Sequence, residues 1–131
     1  MVLLFIFLCV YAAASGFKDG VLWSRLGADA FSFNEHAIFV VERIAVICAA
    51  VAAPNLGVWQ LAATIAAFLL AFSFCHNQAY YYCRAKIDKT PWVFTYSSST
   101  STAKLEFGFK GRLVQMLVGI GVLVAGLIWL S

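Results

Sequence analysis

The sequence predicts an all-α membrane protein: four transmembrane helices in an up-and-down bundle, with a cytosolic β-hairpin between the third and fourth. Three observations carry that expectation. Hydrophobic residues make up 63% of the chain and charged residues only 11%, against roughly 45–50% and 25% in soluble domains. The apolar residues gather in four runs, each near the roughly 20 residues that cross a bilayer. Basic residues avoid one connection and crowd into the other two, the bias that sets membrane orientation. At 131 residues the chain makes one polytopic domain, 1–131. A soluble chain of that length could not bury so much apolar surface. The net charge of +3 points to no nucleic-acid partner.

The first run covers about 1–17. Ala12-Ala13-Ala14-Ser15-Gly16 resembles a signal-peptide cleavage site, but no Lys or Arg precedes the apolar stretch, as a signal peptide normally requires. The run reads as a retained helix that continues toward Trp23. The second span, about 34–53, starts at Ser32-Phe33-Asn34-Glu35, which offers a capping box or an Asn34 cap. It stops at the turn Pro54-Asn55-Leu56-Gly57. The third, about 56–83, is apolar to Cys75 and continues as helix through Tyr80-Tyr81-Tyr82-Cys83-Arg84. The fourth, about 112–130, offers Gly119, Gly121 and Gly126 for close helix contact.

Lys18 and Arg25 lie between spans one and two, and Arg84, Lys86, Lys89, Lys104, Lys110 and Arg112 between spans three and four. The second-to-third turn and both ends carry none. That asymmetry predicts a multi-pass protein of the plasma (inner) membrane with the N-terminus and C-terminus outside. Trp59 and Trp129 would mark the outer boundary, and Trp23 and Tyr80 to Tyr82 the inner one. Within the cytosolic loop 84–112, the stretches 91–96 and 105–109 alternate in the strand manner around the polar run 97–102. Such a hairpin is marginal alone. It should lie on the membrane face, dock on the helices, or pair with another subunit. The four cysteines form no CxxC pair. Cys75 and Cys83, about 12 Å apart along a helix, cannot bridge each other, and all four cysteines read as reduced packing residues.

Ionisable groups inside spans are costly and are site candidates by default. Glu42, Arg43 and His76 are the informative ones. With the turn near Pro54, antiparallel packing of spans two and three would bring His36 and His76 to similar heights. Arg43 would snorkel toward the headgroups, leaving Glu42 to be protonated or to find a hydroxyl, His or Arg. The catalytic candidates are Glu42, His76 and Tyr80; the binding candidates are Arg43, Asn77, Arg84 and Gln115. His36 and His76 are the candidates for a metal or haem, although no metal-ligand spacing reinforces the pair and no cofactor is predicted. The plainer reading of the polar residues is a hydrogen-bonded cluster that locks helices or subunits together. The Glu42-Arg43 pair is similar to one early in the second span of the small glutathione-dependent membrane enzymes of eicosanoid metabolism. Positions 44–50, where basic and Asn residues should follow, are apolar or small here, and glutathione binding has no support.

The leading expectation is a subunit that oligomerises or joins a larger membrane complex as an assembly, helper or pore-forming protein. Its polar face would meet the cytosol, a partner and anionic lipid headgroups. The alternative is a membrane enzyme or a proton- or ion-coupled transporter with an inner-leaflet site around Glu42 and His76.

Overall fold

The computed structural model describes residues 1–26, 35–52, 55–96 and 107–130. They form four helices: α1 (Val2–Leu26), α2 (Glu35–Ala52), α3 (Val58–Ile87) and α4 (Phe109–Trp129). Three helical stretches, Val2–Ser24, Val58–Ile87 and Phe109–Trp129, are long and apolar enough to cross a membrane. The chain is a multi-pass membrane protein. Of the four expected spans, α2 is the one that falls short of that standard, although it returns the chain from the end of α1 to the start of the parallel α3. That helix has 18 residues, just enough to cross, and three of them are the charged Glu35, Glu42 and Arg43. A charged side chain at mid-bilayer costs about 2.5–3.5 kcal/mol even on lenient scales.

The expected β-hairpin is also corrected, for no strand occurs among the described residues. Segment 90–96 lies along α3 and ends in a turn, the Tyr96 N–H donating to the Val93 carbonyl at 2.9 Å. Trp92 meets Tyr82 edge-on at 5.6 Å, and Tyr96 meets Tyr81 at 5.3 Å. Phe94 meets Phe74 at 6.0 Å and Phe109 at 5.1 Å. The period-two pattern is real, but its alternate side chains face two helices instead of a second strand. Residues 97–106, with most of the other half of the expected hairpin, lie outside the described residues. So do the capping positions 32–34 and Pro54.

Lys89 folds this segment back. Its φ of 53° is left-handed backbone that a side chain disfavours. Just before it the Asp88 N–H closes α3 on the Arg84 carbonyl at 2.8 Å, and the Thr90 N–H reaches the Ala85 carbonyl at 3.0 Å. Arg84 and Lys86 in the last turn complement the helix dipole. Pro91 follows and has no N–H to continue the ladder.

Helix α3 is the centre of the bundle, with α1 parallel to it and α4 antiparallel. Gly16 of α1 lies against His76 and Gly20 against Tyr80 and Cys83, while Gly119 and Gly126 of α4 meet Ala67 and Ala63. A Cβ on Gly16 would stand 2.0 Å from the His76 carbonyl oxygen, so only glycine allows this approach. Leu8, Ala12, Ala67, Phe68 and Ala71 are fully buried between these helices. Where lipid replaces water, such close packing of small residues is what favours association. At the opposite end, Gln60 Nε2 donates to the Leu130 carbonyl at 2.8 Å and Gln60 Oε1 accepts from the Gly57 N–H at 3.0 Å.

The tight pairs are thus α1–α3 and α3–α4, not the sequence neighbours α2 and α3. Helix α2 leads back from the end of α1 toward the start of α3, touching α1 lightly and reaching the core through Ile47 and Ala50.

Candidate functional site: a charge clasp between three helices

Helix α1 continues to Leu26, and Lys18 and Asp19 stand on it. Both reach α2. Lys18 Nζ donates to Glu42 Oε2 at 2.5 Å, and Arg43 Nη2 donates to Asp19 Oδ2 at 3.0 Å. Lys18-Asp19 and Glu42-Arg43 are complementary in sign, so each charge meets its opposite. From α3, His76 Nε2 lies 3.0 Å from the same Asp19 oxygen and 3.2 Å from Arg43 Nη2.

A carboxylate only accepts and a guanidinium only donates. The arrangement is therefore satisfied when His76 carries its proton on Nε2 and gives that hydrogen bond to Asp19. The short Arg43–His76 distance is then two donors converging on one oxygen. Phe72 stacks on the His76 ring at 5.3 Å and also lies 5.1 Å from the Arg43 guanidinium. Lys18 sits 5.2 Å from the Phe39 ring centre. The two carboxylates and the Lys18 and Arg43 cations balance one another, which is what lets ionised groups persist beside apolar helices.

Three polar atoms near the clasp are buried with no hydrogen-bond partner among the described residues: Asp19 Oδ1, Arg43 Nε and the Tyr11 hydroxyl. Tyr11, Ser15 and Asp19 follow one another at intervals of four, on one face of α1. Tyr11 is within electrostatic reach of Glu42, Arg43 and Asp19. A polar line therefore leads about two turns from the clasp toward the middle of α1.

The structure gathers some of the expected residues and separates others. Glu42, Arg43 and His76 share the clasp, but Glu42 pairs with Lys18, and no hydrogen bond joins it to His76 among the described residues. Arg43 does not snorkel; Asp19 and His76 hold it. Asn77 Nδ2 donates back to the Ser73 carbonyl of its own helix at 2.7 Å. Tyr80 lies one turn on from His76, edge-on to Tyr81 at 5.3 Å. Arg84 makes a second centre, its guanidinium 3.3 Å from the Trp23 ring centre and 3.5 Å from Asp88 Oδ2. Gln115 is half-buried on α4. His36 belongs to α2, but its side chain lies outside the described residues. No three His, Cys, Asp or Glu side chains converge on a metal-sized site among those described.

Sequence reasoning missed Asp19 and Tyr11, and read Lys18 only as an orienting charge and Trp23 only as a boundary anchor. The available signal was the pair of opposite-sign dipeptides in consecutive helices. Comparison with known proteins finds no matching family model, no matching curated sequence and no matching solved structure.

Proposed function

We propose that this chain is a small membrane subunit that works by assembly, forming an oligomer or joining a larger membrane complex. In this reading it lies in the plasma (inner) membrane, both termini outside and the basic end of the bundle in the cytosol. The mutual pairing of the charges in the clasp carries the reading. Lys18, Asp19, Glu42, Arg43 and His76 bond to one another, so they serve to hold α2 on the bundle and offer no free acid or base to a substrate. Apolar side chains supply surface for neighbouring subunits or lipid: Val41 and Ile44 on α2, Val114, Leu117, Val124 and Ile128 on α4 are all exposed. Gly121, with open space beside it, would let another helix approach α4 closely. An oligomeric pore is a variant of the same reading.

The orientation rests on Arg84, Lys86, Lys89, Lys110 and Arg112, which cluster where α3 ends and α4 begins. The exposed ones, Lys86, Lys89 and Lys110, suit anionic lipid headgroups.

One observation favours a second reading, a proton- or ion-coupled transporter or membrane enzyme around Glu42 and His76. The Tyr11 hydroxyl, Asp19 Oδ1 and Arg43 Nε retain unused hydrogen-bonding capacity, which water or an ion could use. Glu42→Gln and His76→Ala distinguish the two. Assembly predicts that His76→Ala lowers melting temperature or subunit number in detergent while Glu42→Gln changes them little, and that reconstituted vesicles carry no proton or ion flux. Flux through the wild-type protein, abolished by either variant at unchanged oligomer size and melting temperature, would overturn it.

A further inference from the structure

We infer that the cleft between the end of α3 and segment 90–96 binds the headgroup of a phosphoethanolamine lipid. Depth comes first. The 30 residues of α3 extend about 45 Å, against a hydrocarbon core of about 30 Å. The 21 residues of α4 extend about 31 Å, matching that core. Helix α4 starts beside the later part of α3, with Phe109 6.0 Å from Phe74 and the Arg112 guanidinium 5.7 Å from the Tyr81 ring. The last two turns of α3 therefore rise past the start of α4, to the level where headgroups lie.

At that level the Lys89 turn folds 90–96 back and encloses a cavity of about 210 Å³, lined by Tyr81, Arg84, Asp88, Thr90, Trp92 and Tyr96 among others. Drug-sized pockets run about 300–1,000 Å³, so this one suits a headgroup and not a whole lipid. Its chemistry has two halves. Asp88 is 41% exposed, and its contact with Arg84 is 3.5 Å long, too long for a strong charge-assisted bond. That carboxylate, the Thr90 hydroxyl and the partly exposed rings of Trp92 and Tyr96 favour an ammonium group. Arg84, placed over the Trp23 ring, offers a planar donor fork to the neighbouring phosphate. A primary ammonium can donate to Asp88 and Thr90, whereas a trimethylammonium has no N–H to give. The cleft thus selects ethanolamine over choline.

Native mass spectrometry of the whole protein tests this, after equilibration in micelles with dioleoyl phosphatidylethanolamine, phosphatidylcholine or phosphatidylglycerol. We expect preferential retention of the ethanolamine lipid. Asp88→Asn should weaken it about tenfold or more, as loss of one charged hydrogen bond implies, with helicity and melting temperature unchanged. Trp92→Leu, which leaves the α3 cap intact, should weaken it as well and serves if Asp88→Asn misfolds. Equal retention of choline and ethanolamine lipids would overturn the inference. So would a preference for phosphatidylglycerol that Asp88→Asn leaves unchanged, or equally tight binding of soluble phosphoethanolamine. The inference rests on the membrane-spanning helices and not on assembly, so lipid selectivity and subunit number can fail separately.

Discussion

Removing the charge of Asp19 should cost more stability than removing that of Glu42, although Glu42 is the more conspicuous residue in the sequence. Asp19 Oδ2 accepts from Arg43 Nη2 and from His76 Nε2, each at 3.0 Å. The three side chains are only 16%, 24% and 14% exposed. A hydrogen bond to a charged group contributes about 1.5–3 kcal/mol, and stranding a buried charge costs about 3–5 kcal/mol. In Asp19→Asn the amide carbonyl can still accept one bond, but Arg43 loses its counter-charge. With partial exposure discounting the upper figures, the expected loss is about 2–3 kcal/mol, roughly 30- to 150-fold in the folding equilibrium. The Lys18–Glu42 side chains are 40% and 42% exposed, where an ion pair contributes about 0–1 kcal/mol, so Glu42→Gln should lie within that range. Unfolding in mixed micelles of rising dodecyl sulfate fraction, followed by circular dichroism, reads both. The exchange of Asp19→Arg with Arg43→Asp should recover most of the loss. Asp19→Asn within about 0.5 kcal/mol of the wild type, or less harmful than Glu42→Gln, would refute the reasoning, since single changes away from such features usually fall in that band.

Gly16→Ala should disrupt the α1–α3 contact, because its Cβ would fall 2.0 Å from backbone; we expect a loss of about 3 kcal/mol or no folded protein, and a stable variant would contradict the close approach. Gly119→Ala meets the Ala67 carbonyl oxygen at 2.6 Å, while Gly121→Ala meets nothing within 4 Å. In the same titration the first should therefore cost about 1–3 kcal/mol and the second less than about 0.5 kcal/mol; equal effects would contradict the placement of α4. Lys89→Gly should raise stability by up to about 1 kcal/mol by relieving the left-handed backbone, and a clear loss would argue against that conformation.

Helix positions were readable because apolar runs and lipid thickness select the same lengths. Their pairing was not. Sequence adjacency favours α2 against α3, yet Gly16 and Gly20 let α1 come closest to α3. Four-residue spacing of Ala12, Gly16 and Gly20 was the overlooked clue. Charge at Lys18 and Asp19 reads as the end of the first span at about 17; ion pairs across helices let the same helix carry both. Alternating aromatics at 92, 94 and 96 suggest a strand, but each stays partly exposed while its ring meets a helix, and periodicity cannot tell a strand partner from a helical one. Glu42 is expected to be protonated or to meet a hydroxyl, His or Arg; it pairs instead with Lys18, on the helix left out of the depth estimate.

Counting subunits in native membranes, by cross-linking at endogenous expression or by single-molecule photobleaching, tests the assembly reading most directly. A fixed number above one copy, or one stable complex with another membrane protein, is the predicted result. A chain that stays monomeric and unaccompanied at every membrane density would contradict it.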